Sequence, residues 1–394
     1  MSTLTTAPKL DSERGFLPLQ DPLTRLPQPF DEWENVAMRL PKLLASDHFR
    51  HMIEDLPPFP IETIGNDRER ERAMALLSYL GHAYVWGGDK PAQVLPKRLA
   101  VPWQSVAGSL GQPPVLSYSS YALHNFFRFD SKRDVECGNL GLIQNFLGGI
   151  DEEWFILIHV EIERRAAPGV ATLHACLDAA HACDAERLET KLTEVEVSLA
   201  SMQATLKRMP ERCDPYIYFH RVRPYIHGWK NHPDLPDGVI YEGVSAYGGR
   251  PQQFRGETGA QSAIIPSLDA MLGIQHKDDM LREYLTEMRT YIPPVHREFI
   301  ESLEARDPVR QFVERSGRAS LIELYNACIE GVDRFRSLHL EYAATYIFRQ
   351  AQTDEKNPHA VGTGGTPFMP YLTKHRDETA EHRLLLSSSL RPKL

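Results

Sequence analysis

Leu188-Glu189-Thr190-Lys191-Leu192-Thr193-Glu194-Val195-Glu196-Val197-Ser198-Leu199-Ala200-Ser201-Met202-Gln203-Ala204-Thr205-Leu206 decides the fold class. Leu188, Leu192, Val195, Leu199, Met202 and Leu206 recur at 4-3-4-3-4 spacing, which puts them on one face of a helix of about five turns. A half-buried strand would alternate every second residue instead. The stripe is short for a free-standing coiled coil, so the spacing predicts a helix packed inside a helical domain, with a dimer seam as the alternative.

Outward from this run the same periodicity returns over residues 278–292, 294–305, 308–315 and 319–349. Pro293, Pro294 and Pro308 fall at N-terminal turns, where a missing donor costs little. Upstream, Trp33, Val36, Ala37, Leu40, Leu43 and Leu44 predict a helix over residues 30–55, stopped by Pro57-Pro58-Phe59-Pro60. A second helix is expected from Asp67 to Trp86. Five prolines between Lys90 and Pro114 read as an extended strap. No strand series or βαβ alternation occurs, so the expected class is all-α: a smaller, mainly helical N-terminal domain, residues 1–145, and a large helical domain, residues 146–394. From Lys230 to Glu257 the chain is too rich in Pro and Gly for a helix, while Tyr241, Tyr247 and Phe254 point to a packed loop that covers something.

The chain of 394 residues is 42% apolar and 25% charged, ordinary for a globular protein. A net charge of −9 argues against a nucleic-acid surface, which needs basic patches. The five cysteines form no CxxC pair and read as reduced thiols. His174, Cys176, His181 and Cys183 resemble a metal cluster, but each like pair is seven residues apart, roughly 10 Å along one helix and too far to share an ion. Met1–Ser12 is polar, and no apolar run approaches the roughly 18 residues of a membrane span. The expectation is a cytoplasmic protein with no membrane or nucleic-acid partner, monomeric or, as the alternative, dimeric.

Three places could carry chemistry. His339, in Phe335-Arg336-Ser337-Leu338-His339-Leu340-Glu341-Tyr342-Ala343, is a lone imidazole with no neighbouring metal ligand. That suits a haem, which brings four nitrogens of its own, better than zinc, which draws several ligands from the chain; a satisfied core histidine remains the alternative. In Tyr216-Ile217-Tyr218-Phe219-His220-Arg221-Val222-Arg223-Pro224-Tyr225, helical spacing places Phe219 and Arg223 on one face. A ring beside a guanidinium fork suits a planar aromatic acid, or else makes a surface cation–π pair. Gly362-Thr363-Gly364-Gly365-Thr366 lacks the Lys-Ser/Thr of a P-loop and reads as a closing loop or a linker.

In combination these features resemble the indoleamine 2,3-dioxygenase family across most of the chain. The matching stretches include Gly15-Phe16-Leu17-Pro18, His82-Ala83-Tyr84-Val85-Trp86, Pro113-Pro114-Val115-Leu116-Ser117-Tyr118, Gly228-Trp229-Lys230, Leu235-Pro236-Asp237-Gly238-Val239-Ile240-Tyr241-Glu242-Gly243, Leu272-Gly273-Ile274-Gln275, Tyr291-Ile292-Pro293-Pro294-Val295-His296-Arg297, Ser337-Leu338-His339-Leu340 and Gly362-Thr363-Gly364-Gly365-Thr366. The resemblance implies a haem b enzyme that opens the indole 2,3-bond of L-tryptophan, or of a close indole derivative, with both atoms of O2. His339 falls on the proximal iron ligand. Phe219, Arg223 and Thr363 fall on the distal aromatic, the carboxylate-binding arginine and the closing loop. Arg336 falls near the haem propionates, with Asp269 as its acid partner. Tyr118, Tyr121, Tyr218, Thr258 and Gly364 complete the implied substrate side.

The departures concern the distal side. Tyr218 stands where mammalian members tend to have a second phenylalanine, and Tyr121 where a smaller residue lines the inner indole pocket. A distal serine maps without gaps onto Leu157, so no hydroxyl is expected there. His159, about 200° further round a helix, would need a register shift to face the haem; the related tryptophan dioxygenases place a histidine near the indole N–H. Two other functions fit the same residues: a haem enzyme acting on a modified indole in secondary metabolism, and a non-catalytic haem or indole sensor working through the heptad-patterned helix.

Overall fold

The computed structural model describes residues 9–46, 48–277, 280–353, 362–363 and 368–385. Helices dominate and the class is all-α. Among the described residues strands form only two short ladders, Val94–Leu95 parallel to Ile240–Tyr241 and Phe126–Arg128 antiparallel to Leu140–Leu142.

The deciding run lies in the helix Ala185–Leu206, opened by Asp184, whose carboxylate accepts a hydrogen bond from the Arg187 amide at 3.0 Å. All six stripe residues are at most 3% exposed, because the stripe faces the helices Ile150–Ala171 and Ala319–Ala343. Gly331 admits the close approach: a Cβ there would stand 2.9 Å from Leu199. The stripe is therefore core, and a dimer seam built from Leu192 and Leu199 is not available. Leu192→Ala is expected to lower stability by about 2–5 kcal/mol, read as a lower denaturant midpoint; a loss of self-association in place of stability would restore the seam.

Two expected elements differ. The stretch 30–55 is three helices, Asp31–Met38, Leu40–Leu44 and Phe49–Asp55, since Pro41 fits only the first turn of a helix and cannot continue the preceding one. The expected strap at 90–114 contains the helix Lys97–Ser109 with Pro102 inside it. Leu99, Ala100, Trp103, Val106 and Ala107 share its buried face, and that helical burial outweighs the one hydrogen bond Pro102 cannot make. The helix Asp67–Trp86 has the expected bounds, capped by Asn66. Residues 319–349 run as helix to Ala343 and then as a π-turn, Ala344–Phe348.

Buried apolar residues form two clusters. One gathers residues between 17 and 160 with Ile226, Trp229, Tyr241 and Tyr291; the other gathers Phe16 and residues between 154 and 346. Polar bonds tie the 225–261 segment to the first. His82 Nε2 accepts the Leu116 amide at 2.9 Å while Nδ1 meets the Tyr225 carbonyl at 2.8 Å, Trp86 Nε1 donates to the His227 carbonyl at 2.9 Å, and the Tyr241 hydroxyl donates to the Pro114 carbonyl at 2.6 Å. The Pro/Gly loop is packed through Tyr241, Tyr247 and Phe254, whose rings stand 5.6 to 6.3 Å apart. Its packing holds the chain that leads out of Arg223.

Candidate functional site

Phe335, Leu338, His339 and Tyr342 follow each other on one face of the helix Ala319–Ala343, and all four keep surface open. His339 is the most open of them, yet the surrounding protein holds its pKa down to about 4, with the His159 charge a lesser cause. The ring is exposed on its helix, yet enough protein surrounds it to disfavour the charged form. Among the described residues neither of its ring nitrogens has a hydrogen bond, so it is not the satisfied core histidine of the alternative. It is neutral near pH 7, and its nitrogen lone pair is available to a metal. That donor fits a haem iron, which asks the chain for one imidazole. Behind it Arg336 pairs with Asp269 at 2.6 Å and donates to Thr379, while His276 stands 3.5 Å from the same Asp269.

The opposite wall comes from the helix Ile150–Ala171. Phe155 and His159, four residues apart, are partly open, whereas Ile156, Leu157, Ile158 and Val160 between and beside them are buried. Leu157 packs in the N-terminal cluster. Leu157, onto which the gapless count maps the distal position, is buried there, while His159 keeps surface open and its charge bears on His339. His159 Nδ1 meets the Phe155 carbonyl at 2.7 Å, and its ring lies 4.7 Å from Phe155 and 6.1 Å from Tyr118. Burial lowers its pKa.

From Phe155 the ring contacts run to Tyr218 at 4.5 Å and Tyr121 at 6.3 Å. Both tyrosines sit in π-turns, Tyr218–Val222 and Ser119–Leu123, widened helical turns that re-aim side chains. Arg223 directly follows the first of these turns and is 1% exposed; its guanidinium lies 5.4 Å from the centre of the Phe219 ring. The pair is thus buried, unlike the surface pair of the alternative reading. Burial pushes the Arg223 pKa down to about 10, which leaves it charged at neutral pH.

The remaining side is the segment 254–262. A Cβ on Gly228 would fall 2.1 Å from the Gly256 amide, and one on Gly256 2.2 Å from the Gly228 amide, so only glycine lets the two backbones cross. Thr363 is held at this crossing: its hydroxyl donates to the Glu257 carbonyl, and its own carbonyl accepts from the Gly228 amide at 3.3 Å. Thr258 turns its hydroxyl toward the Ala260 amide at 3.4 Å. Gly364 lies outside the described residues. Gln261 accepts from the Tyr118 amide at 2.9 Å and donates to the Gly256 carbonyl at 2.9 Å, locking this segment to the Tyr118 turn.

Three residues here were missed from sequence. Phe155 and Glu163 flank His159 at four-residue steps, a periodicity that would have revealed the face; Glu257 carries no such signal. Glu163 is 1% exposed and accepts from the Tyr118 and Ser262 hydroxyls, each at 2.9 Å. Burial nonetheless lifts its pKa to about 7, against the lowering effect of those two bonds. An acid raised on folding holds a proton that the unfolded chain has lost, so between about pH 4.5 and 7 its contribution to stability falls as pH rises. Glu163→Gln is expected to flatten the decline in Tm over this window and to remove up to about one proton of uptake on folding. An unchanged slope would assign the decline to other groups.

His174 Nε2 bonds the Ser302 hydroxyl at 3.0 Å, and Cys176 is buried in the helical core. Among the described residues no helix is long and apolar enough to cross a membrane.

Residues 5–382 match the family model described as Indoleamine 2,3-dioxygenase. The chain is 36% identical to indoleamine 2,3-dioxygenase 1 of Rattus norvegicus, over 94% of this chain and 93% of that protein. It is 33% identical to indoleamine 2,3-dioxygenase 2 of Homo sapiens, with 94% and 93% covered, and 32% identical to the 6-hydroxytryptophan 2,3-dioxygenase of Fusarium equiseti, with 93% and 95% covered.

Proposed function

The chain belongs to the indoleamine 2,3-dioxygenase family, haem b dioxygenases that act on tryptophan or indoles with O2, and from that premise we propose that it opens the indole 2,3-bond of L-tryptophan to give N-formylkynurenine, the first step of the kynurenine pathway, in the cytoplasm. The observation that carries the reading is the bare, neutral imidazole of His339, with His159 bearing on it and ring contacts leading from His159 through Phe155 to Tyr218, the residue before the buried Phe219–Arg223 pair.

Haem, when bound, supplies the iron at which O2 is activated. The chain supplies position and a dry wall. His339 would be the single protein ligand, with Arg336 and Asp269 near the propionates. Arg223 holds the substrate carboxylate in its planar fork, and Phe219 and Tyr218 wall the indole. Tyr118 and Thr258 line the substrate side, and Thr363 closes over it from the Gly228–Gly256 crossing. His159 stands closest to the role of a hydrogen-bonding partner for the indole N–H; its lowered pKa leaves it neutral, able to accept a proton or a hydrogen bond. In this scheme residues 1–145 form the smaller domain covering the distal side and 146–394 the haem-bearing one.

The test is an absorption spectrum of the purified protein before and after dithionite and CO, with and without tryptophan, followed by turnover under ¹⁸O2. Ring opening as proposed puts two labelled atoms into N-formylkynurenine, and a colourless protein after haem-supplemented expression would sink the reading. A second reading, a modified indole in secondary metabolism, is favoured by Tyr121 and Tyr218 and by the name of the Fusarium equiseti relative; ring opening of a substituted tryptophan but not of tryptophan itself, or a product with one labelled atom or none, would select it. Stoichiometric binding without product would point to a sensor.

A further inference from the structure

The helix Phe368–Ala380 packs against the helix that carries His339. None of the site residues implied by the family resemblance lies on it. His375, in its middle, is only 9% exposed, and among the described residues its Nε2 has no hydrogen-bond partner. A buried polar atom left bare costs free energy, and the cost is recovered when a ligand supplies the partner.

Two routes of contact tie His375 to Arg336. Its ring lies 4.1 Å from that of His276, whose Nε2 stands 3.4 Å from the Arg336 guanidinium and 3.5 Å from Asp269. One turn further along the same helix, the Thr379 hydroxyl accepts from Arg336 and donates to the His375 carbonyl at 2.7 Å. Arg336 in turn sits three residues before His339, a neighbouring position on the surface of its helix.

What this cluster lacks is an acceptor. Arg336 bonds Thr379, Asp269 and His276, which leaves some of its guanidinium N–H groups over. An imidazole can carry a hydrogen on Nε2 whether it is neutral or charged. The acids of the cluster are taken up. Asp269 pairs with Arg336 and His276, and Glu378 meets His276 at 2.7 Å, Lys374 at 3.4 Å and the Lys277 amide at 3.5 Å. Asp269 Oδ1 is bare as well, but it and His375 Nε2 do not bond each other. A carboxylate from outside fits the donors that remain. In the reading given above, haem on His339 brings its propionate carboxylates to Arg336.

We propose that His375 donates a hydrogen bond from Nε2 to the haem propionate that Arg336 meets, so that the helix Phe368–Ala380 grips the haem. This rests on the haem reading given above and adds a residue to it. The contact also couples two events. The helix follows closely on Thr363, which docks on Glu257 and Gly228, so a haem that holds His375 steadies the chain just behind the closing loop. Other bonds anchor this part of the chain without haem: the Gln275 amide donates to His382 Nε2 at 3.1 Å, and Arg310 donates to the His382 carbonyl at 2.6 Å. Variants at His375 should therefore keep the fold.

The experiment measures haem loss, by transfer to apomyoglobin, from the wild type, His375→Leu, His375→Ala and His375→Gln. The propionate bending band in resonance Raman and the hydrogen exchange of residues 368–380, with and without haem, are read on the same proteins. His375→Leu and His375→Ala are expected to lose haem about 10–100-fold faster, the effect of one hydrogen bond to a charged group, with a shifted propionate band. His375→Gln keeps an N–H donor and is expected to stay close to the wild type. Haem is expected to slow exchange in the wild-type helix and to slow it less in the leucine variant; the alanine variant serves where leucine does not fit. Unchanged haem loss and an unmoved propionate band overturn the proposal. So does a lower Tm of the haem-free variants with haem loss unchanged, the mark of an ordered water on Nε2. A wild type that takes up no haem removes the reading above and this contact with it, whereas one that binds haem with no dependence on His375 removes this contact alone.

Discussion

His339→Ala yields a folded protein that no longer retains haem. The imidazole makes no hydrogen bond among the described residues and is open on its helix face, so nothing in the packing of the helix Ala319–Ala343 depends on it. Alanine is also the better helix former. Haem-free stability should then move by no more than about 0.5 kcal/mol, the range of substitutions that break no contact. Haem affinity should fall far more. Loss of a group that only orients a metal ligand costs about 10–100-fold, and loss of the single protein ligand sets that as a lower bound. The measurement is the Soret absorbance per protein after desalting, with circular dichroism and Tm of the haem-free form as the control. A variant that keeps its Soret band and turnover would remove His339 from the site, whereas a variant that unfolds would make it the core histidine of the bland reading. Because its pKa is held to about 4, the wild-type imidazole should stay unprotonated, and so able to bind metal, down to about pH 5.

How much of this was legible in the sequence depends on whether local spacing or tertiary contact sets the feature. The stripe from Leu188 to Leu206 fixes a helix and its buried face by itself, and Phe219 and Arg223 share a face for the same local reason. Prolines misled in both directions: Pro41 breaks a helix that apolar spacing alone continues, and Pro102 is tolerated in one because Leu99, Trp103 and Val106 bury the face around it. The distal wall depends on register. A gapless count carries any insertion or deletion forward and so maps the distal position onto Leu157, which is buried, while Phe155 and His159, one helical turn apart, keep surface open. That periodicity favours His159 of the two candidates. Glu257 was not legible at all, since its burial follows from the crossing of Gly228 with Gly256 and from Thr363 docking on its carbonyl, contacts between segments more than 25 and 100 residues away.

Arg223→Lys is expected to raise KM for L-tryptophan by roughly 10–100-fold, the effect of losing one charge-assisted hydrogen bond worth about 1.5–3 kcal/mol. A lysine ammonium offers a point charge where the guanidinium offers two parallel donors in a plane. Burial adds a second cost with a pH signature. It already pushes Arg223 down to about 10; a lysine starts near 10.4, and the same burial lowers it toward neutrality. The wild type should therefore hold its KM steady from pH 6 to 8, while KM in the variant climbs as the lysine loses its proton. Tryptamine, which has no carboxylate, supplies the control: its KM should change little between wild type and variant. Equal losses for tryptophan and tryptamine would mean that the substitution has collapsed the Phe219 wall and that the carboxylate contact is not what was lost. An unchanged KM for tryptophan would place the carboxylate elsewhere in the pocket.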